Sequence, residues 1–177
     1  NWVELLNNSI GIEFINKGIT GDTTSGMLSR FCRDVVDEDA RYTIIMGGVN
    51  DFICGNSMGA VKSNIMAMIH QAYYNKITPI LGIGIKMDIY NFRQDWARLT
   101  DVVHLNYLMM EYRKWILDFC KIFNVICIDF HSGFENEIKG EYSDYFIDGL
   151  HPTKEGHRIL SDIAFKHIKE LGIIINL

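Results

Sequence analysis

The sequence predicts an α/β protein built as a three-layer α/β/α sandwich around a parallel sheet, and three observations predict it. Short apolar runs alternate with longer segments of helical period. Most of those runs are nearly all apolar, rich in Ile and closed by Gly or Asp, as parallel strands covered on both faces require. The composition, 48% apolar and 22% charged over 177 residues with 15 Gly and only 2 Pro, is that of one folded domain. No stretch rich in Pro, Ser or Gly suggests a linker. A chain of this length buries about 70% of its unfolded surface, so the core needs neither disulfides nor a structural metal.

In chain order, Trp2-Val3-Glu4-Leu5-Leu6 reads as the interior of a helix, and residues 12–16 as the first strand. A helix follows at 25–37, with Ser25 as its N-cap, then a strand at 42–47. The segment 58–74 places Met58, Val61, Ile65, Met68, Ile69 and Ala72 on one stripe, the signature of an amphipathic helix. After a strand at 78–84, a second such stripe runs through Leu105, Leu108, Met109, Tyr112, Ile116, Phe119 and Phe123, predicting a helix over 101–123. The last strand is expected at 124–130. The last helix should start with Pro152 in its first turn and end near Leu171, before Gly172. Strands joined by helices are βαβ units, whose crossovers are right-handed.

Lys and Arg total 17 against 22 Asp and Glu, a net charge of −5, with no basic stripe, so nucleic acid is not an expected partner. Cys32, Cys54, Cys120 and Cys127 form no C-x-x-C pair and are expected to be reduced, which favours the cytoplasm. No apolar run reaches the length of a transmembrane segment. A metal site built from some of His131, His151, His157 and Asp148 is not expected. His151 and His157 lie six apart with Pro152 between them, unlike the i, i+4 pair of a helical zinc site. No cofactor is called for, and His70, His104 and His167 read as helix residues.

Open parallel sheets place ligands at the carboxyl ends of their strands, so the residues there carry the functional reading. After the first expected strand comes Asn16-Lys17-Gly18-Ile19-Thr20-Gly21-Asp22-Thr23, a turn whose backbone N–H groups either bind an anion or oxyanion or simply cap a strand-to-helix connection. After the second comes Gly47-Gly48-Val49-Asn50-Asp51, where Asn50 can aim an amide into the crevice and Asp51 can satisfy backbone donors of the loop. Following the last, Asp148-Gly149-Leu150-His151-Pro152 sets a carboxylate and an imidazole three residues apart. Asp148 can accept the Nδ1 hydrogen of His151 and leave Nε2 to take a proton from a nucleophile, or it can be a helix-capping Asp beside a surface His. Asp129 is expected to order neighbouring loops.

Together and in this order, these segments resemble blocks of the SGNH hydrolase superfamily, the GDSL-type esterases and lipases. The resemblance spans residues 12–160 and implies a parallel, flavodoxin-like sheet. It assigns one oxyanion donor to the Gly21 N–H and a second to the Asn50 amide. The triad acid falls on Asp148 and the general base on His151. The block that carries the nucleophile in the family, a strand followed by Gly-Asp-Ser, has no counterpart in these residues. It is expected about 15 to 25 residues upstream of the helix at Trp2, making the chain an N-terminally truncated domain that lacks its first strand. Promoting Gly21-Asp22-Thr23 to the nucleophile block fails, because Asn50 then follows too closely for the intervening block.

The resemblance implies a serine acylhydrolase that works through an acyl-enzyme on small ester substrates, with lysophospholipids and thioesters among the candidates. A carbohydrate acetyl esterase of the same superfamily is one alternative, and a non-catalytic binding module is another. The stretch 83–100, with Lys86, Met87, Tyr90, Phe92, Arg93 and Trp96, is long enough to wall the site, or it is a solvated loop with Trp96 anchored in the core.

Overall fold

A computed structural model of the chain describes residues 1–98 and 100–173. Its elements in chain order are α1 (Trp2–Ser9), α2 (Thr24–Phe31), a π-helical turn (Cys32–Val36), β1 (Tyr42–Ile45), α3 (Val49–Ile53), α4 (Met58–Tyr74) and β2 (Thr78–Ile83). There follow α5 (Gln94–Ala97), α6 (Val102–Phe123), β3 (Ile126–Asp129), α7 (Phe130–Glu137), a 3₁₀ turn (Tyr142–Tyr145) and α8 (Lys154–Glu170). The chain forms two compact units, one of Lys17–Gly84 and Leu99–Cys127, the other of Asn1–Asn16, Ile85–Arg98 and Ile128–Leu177.

The sheet has the order β1-β2-β3, with β1 and β2 parallel and Tyr42 opposite Thr78. Strand β2 is central, and Pro79 to Ile83 are buried without a break. Successive side chains of a strand point to opposite faces, so unbroken burial means that both faces are covered. Helices α4 and α6 both pack on β2, giving the expected α/β class. Strand β1 is an edge, with Tyr42 41% exposed, so double coverage holds for the central strand and not for β1.

Helix α4 has the bounds that its apolar stripe predicts. Ser57 caps it by accepting the Ala60 N–H at 3.2 Å, and Val61, Ile65, Met68, Ile69 and Ala72 are buried. In α6, Asp101 is the cap and accepts the His104 N–H at 3.0 Å. The stripe buries Leu105, Tyr112, Ile116 and Phe119, while Phe123 in the last turn is 61% exposed. Asn124 ends the helix in the left-handed conformation at φ 53°, which Asn tolerates better than branched residues do.

In the other unit α1 packs on α8, and α8 on α7. Leu6, Phe130, Phe134 and Ile168 are buried there, and Trp2 tilts against Phe130 with ring centroids 5.5 Å apart. In helix α1 the Asn1 side chain accepts the Val3 and Glu4 amides at 3.1 and 3.2 Å.

Three local expectations are corrected. Residues 12–16 form no strand. Phe14 donates its N–H to Asn7 Oδ1 at 2.7 Å and accepts from Asn7 Nδ2 at 2.8 Å, so a side chain takes the bonds that a neighbouring strand would have used. Helix α2 is capped by Thr23, whose hydroxyl accepts the Gly26 N–H at 3.2 Å, and Ser25 lies exposed in its first turn. Pro152 precedes the first turn of α8, because Thr153 is the cap and accepts the Gly156 N–H. Among the described residues no disulfide joins the four cysteines, and no helix is long and apolar enough to cross a membrane.

Candidate active site

The turn around Gly21 and the turn after β1 are tied to each other inside one unit. Gly21 has φ +79°, a conformation that strains any residue with a Cβ, although a Cβ there would meet nothing within 4 Å. Glycine is therefore demanded by the backbone, and the space in front of it is open. Its N–H has no partner among the described residues. Asn50 donates Nδ2 to the Asp22 carbonyl at 2.9 Å, which holds the amide against this turn and leaves its second hydrogen for another acceptor.

Gly48 sits at φ +121°, and a Cβ would lie 2.7 Å from Cε1 of Tyr112, so the turn before Asn50 can approach α6 only as glycine. Asp51 is fully buried. It does not serve its own loop's first turn as expected but reaches back to α2: Thr24 donates its N–H to Oδ2 and its hydroxyl to Oδ1, each at 2.7 Å, and Asn56 Nδ2 donates at 3.3 Å. A buried carboxylate requires such donors. Burial, helped by the Asp51 charge, pushes the Tyr112 phenol well above its ordinary range.

A second brace acts from below the turn. Asp22 accepts the Thr23 N–H and takes Arg30 through Nε at 2.9 Å, while Arg30 Nη1 donates to the Lys17 carbonyl at 2.7 Å and to Asp34 at 2.6 Å. Burial opposes the Arg30 charge, and the two carboxylates overcome it, raising its pKa. Gly26 makes room for this pair, since a Cβ would fall on Asp22 Oδ1.

In the other unit Asp148 and His151 meet. His151 Nδ1 lies 2.8 Å from Asp148 Oδ2 and 3.1 Å from Oδ1. An ionised carboxylate only accepts, so Nδ1 carries the hydrogen and Nε2 is left with a lone pair. Oδ1 also accepts the Leu150 and His151 N–H groups at 3.1 and 2.8 Å. Burial works against the Asp148 charge, but these backbone and ring donors outweigh it and hold the carboxyl below its ordinary range. The imidazole side chain is 47% exposed, and the carboxylate 13%.

The segment from Ile85 to Arg98 braces this loop. Asp88 N–H donates to the Gly149 carbonyl at 2.8 Å, and Arg93 N–H to the Asp148 carbonyl at 3.0 Å. Gly149 has φ +81°, and a Cβ would lie 2.5 Å from the Asp88 carbonyl oxygen, so no larger residue fits between the two strips of backbone. Trp96 is neither a core anchor nor fully solvated: half-buried, it stands edge-on to His151 at 5.4 Å, with Arg93 over its ring at 5.0 Å. Met87 and Phe92 are buried and Tyr90 is 93% exposed. Lys86 pairs with Glu135 at 3.2 Å and Arg93 with Asp95 at 2.7 Å.

Each pair of candidate residues is thus brought together within its own unit, Gly21 with Asn50 and Asp148 with His151. Asp129 caps α7, accepting the Ser132 N–H at 3.3 Å, as a loop-ordering residue would. Thr24 and Asn64 were not legible as site residues, whereas Trp96 was legible only as part of a stretch that could wall the site. Of the first two, Asn64 alone left a trace, a polar residue beside the apolar stripe of α4. Among the described residues no group of three or more His, Cys, Asp and Glu is placed to hold a metal ion.

The parallel sheet and the family match together make the chain a carboxylic ester hydrolase of the SGNH superfamily. The chain belongs to the GDSL-like lipase/acylhydrolase family, whose model matches residues 1–159. An acetylxylan esterase from Geobacillus stearothermophilus is 24% identical over 172 residues, 92% of this chain and 74% of that protein. A member of the lipolytic G-D-S-L family from Veillonella parvula has a similar structure, with a TM-score of 0.77 at 24% identity over 93% of this chain and 85% of that one. A catalytic mutant of the Geobacillus enzyme superposes with a TM-score of 0.74 at 21% identity, covering 94% of this chain and 78% of that one. At these identities the structural likeness carries the fold. Catalytic mutants of that enzyme are known at a serine, an aspartate and a histidine.

Proposed function

We propose that the chain carries three parts of a serine esterase: the general base His151, its orienting carboxylate Asp148, and an oxyanion-binding turn formed by Gly21 and Asn50. The observation that carries this reading is the 2.8 Å contact between Asp148 and His151 Nδ1, which leaves Nε2 free to act as a base. The nucleophile is assigned to a serine N-terminal to Asn1, because the Gly-Asp-Ser block of the family has no counterpart in these residues. The chain is then part of one catalytic domain, a reading supported by a single family match that runs through segments of both units.

In this mechanism the serine oxygen attacks the ester carbonyl while its proton passes to His151 Nε2. Asp148 stabilises the imidazolium that results. The Gly21 N–H and the second hydrogen of Asn50 Nδ2 receive the oxyanion. His151 returns the proton to the departing alcohol, and water then releases the acid by the same sequence. Of the substrate classes, acetyl esters of carbohydrates have the support of the acetylxylan esterase relative, and lysophospholipids and thioesters have no comparable support. Four cysteines that form no disulfide among the described residues support placement in the reducing cytoplasm.

Fluorophosphonate labelling of the full-length protein, with the adduct located by peptide mass spectrometry, tests the reading. An adduct on a serine upstream of Asn1 is expected. Labelling at Ser25, or none on a folded protein, refutes it. Turnover of acetylated xylo-oligosaccharides against lysophospholipid and acyl thioester then ranks the substrates, and preference for either of the latter refutes the carbohydrate reading.

A further inference from the structure

Two segments that the esterase reading assigns to the oxyanion meet at one buried point. Thr24 lies three residues after Gly21, Asp51 lies one residue after Asn50, and the two are joined by the pair of 2.7 Å bonds from Thr24 to the Asp51 carboxylate. Both residues are fully buried. The carboxylate can only accept, so the single hydroxyl hydrogen of Thr24 lies on Asp51 Oδ1 and the lone pairs of the hydroxyl oxygen are left for a donor.

Asn64 supplies that donor. From the middle of α4 its Nδ2 donates to Thr24 Oγ1 at 3.0 Å. The hydroxyl it meets already donates to buried negative charge at Asp51 Oδ1, which makes its oxygen a better acceptor. Such charge-assisted bonds are the stronger kind, and chains of them reinforce one another. Asn is a poor residue for a helix interior, and here it stands half-buried beside the apolar stripe, three residues after Val61 and four before Met68. Its position makes sense as a donor to Thr24 and not as core filling.

We infer that Asn64 is a positioning residue for the oxyanion-binding turn, acting through Thr24 and Asp51 on the segments that carry Gly21 and Asn50. The inference rests on the esterase reading of those two residues. Asn64 touches no reacting atom. It holds the Thr24 hydroxyl in place against Asp51, and the link fixes the spacing of the two donors, for which a displacement of about 1 Å is enough to cost a hundredfold in rate.

The test is made on the full-length protein with Asn64→Leu, which keeps the volume and removes the donor, and Asn64→Gln, which keeps an amide. Asn64→Leu should lower kcat at least tenfold with KM within threefold of the parent, since the oxyanion forms only after binding. Asn64→Gln should recover most of that loss. Hydrogen exchange on the same variants needs no turnover: Asn64→Leu should speed exchange of the Thr24 amide at least tenfold while the amides of α6 stay as protected as before. A folded Asn64→Leu protein with unchanged kcat, or with unchanged Thr24 exchange, overturns the inference. If the parent protein hydrolyses no ester, the esterase reading fails on that result alone, and exchange at Thr24 still decides whether Asn64 holds the turn.

Discussion

Replacing Asp148 by Asn tests the dyad most directly, because the variant keeps the shape of the loop and inverts one hydrogen bond. In the parent, Asp148 Oδ1 accepts the Leu150 and His151 N–H groups at 3.1 and 2.8 Å, and Oδ2 faces His151 Nδ1 at 2.8 Å. An asparagine keeps Oδ1 on the two backbone donors and turns its NH₂ toward the ring. That group can only donate, so Nδ1 must become the acceptor and the ring hydrogen moves to Nε2. The base is then blocked at the atom that should take the proton from the nucleophile. In a triad of this logic the wrong tautomer costs about 10⁴ in kcat, equivalent to about 5 kcal/mol. Folding should lose only about 1 to 2 kcal/mol, because both backbone bonds survive and one charge-assisted bond weakens. For a chain of this size that is a fall in Tm of about 2 to 8 °C.

The assay is the initial rate of p-nitrophenyl acetate hydrolysis by full-length protein, beside a thermal melt. The melt carries its own pH signature. Asp148 is held below its ordinary pKa, so its contribution to stability is complete above about pH 4 and is lost as the pH falls through the lower folded value. The Tm gap between parent and Asp148→Asn should therefore close as the pH falls below about 4. A folded variant within tenfold of the parent rate would refute the orienting role. A gap that persists undiminished in strong acid would refute the assignment of the carboxylate as the ionised partner.

Three further outcomes are expected. Asn50→Ala should lower kcat about a hundredfold or more, the usual effect of losing one oxyanion donor, and a near-normal steady-state rate would remove Asn50 from the site. Gly149→Ala forces a Cβ to 2.5 Å from the Asp88 carbonyl at φ +81°; roughly 3 kcal/mol or more of stability should be lost in denaturant titration, and turnover with it. Gly48→Ala meets the Tyr112 ring at 2.7 Å and should cost about 2 kcal/mol, with a melt unchanged from the parent counting against the close approach to α6.

Much of the frame was legible because it rests on local periodicity. The apolar stripe of α4 predicted both of its ends, and β2 announced itself as an unbroken apolar run. Residues 12–16 misled for a related reason: an apolar stretch of strand-like composition is ambiguous until its backbone partners are known, and here Asn7 supplied them. Ser25 misled because Thr23, Thr24 and Ser25 are all good caps in sequence, and only the position of the Gly26 N–H singles out Thr23.

The D-x-x-H spacing was sufficient to nominate Asp148 and His151, which meet three residues apart, and G-x-N-D nominated Asn50 by its place after β1, although its bond to Asp22 spans 28 positions. What the amino-acid order alone determined about this protein is of that kind: helix stripes, strand runs, and a carboxylate three residues before an imidazole. The tertiary structure alone decided the rest. Asp51 binds Thr24 across 27 positions of sequence, and Asn64 binds Thr24 across 40. Likewise, the segment from Ile85 to Arg98 braces Gly149 and sets Trp96 beside His151. No periodicity records such pairs, because a buried polar group takes whichever partner the packing of whole elements brings within 3 Å of it.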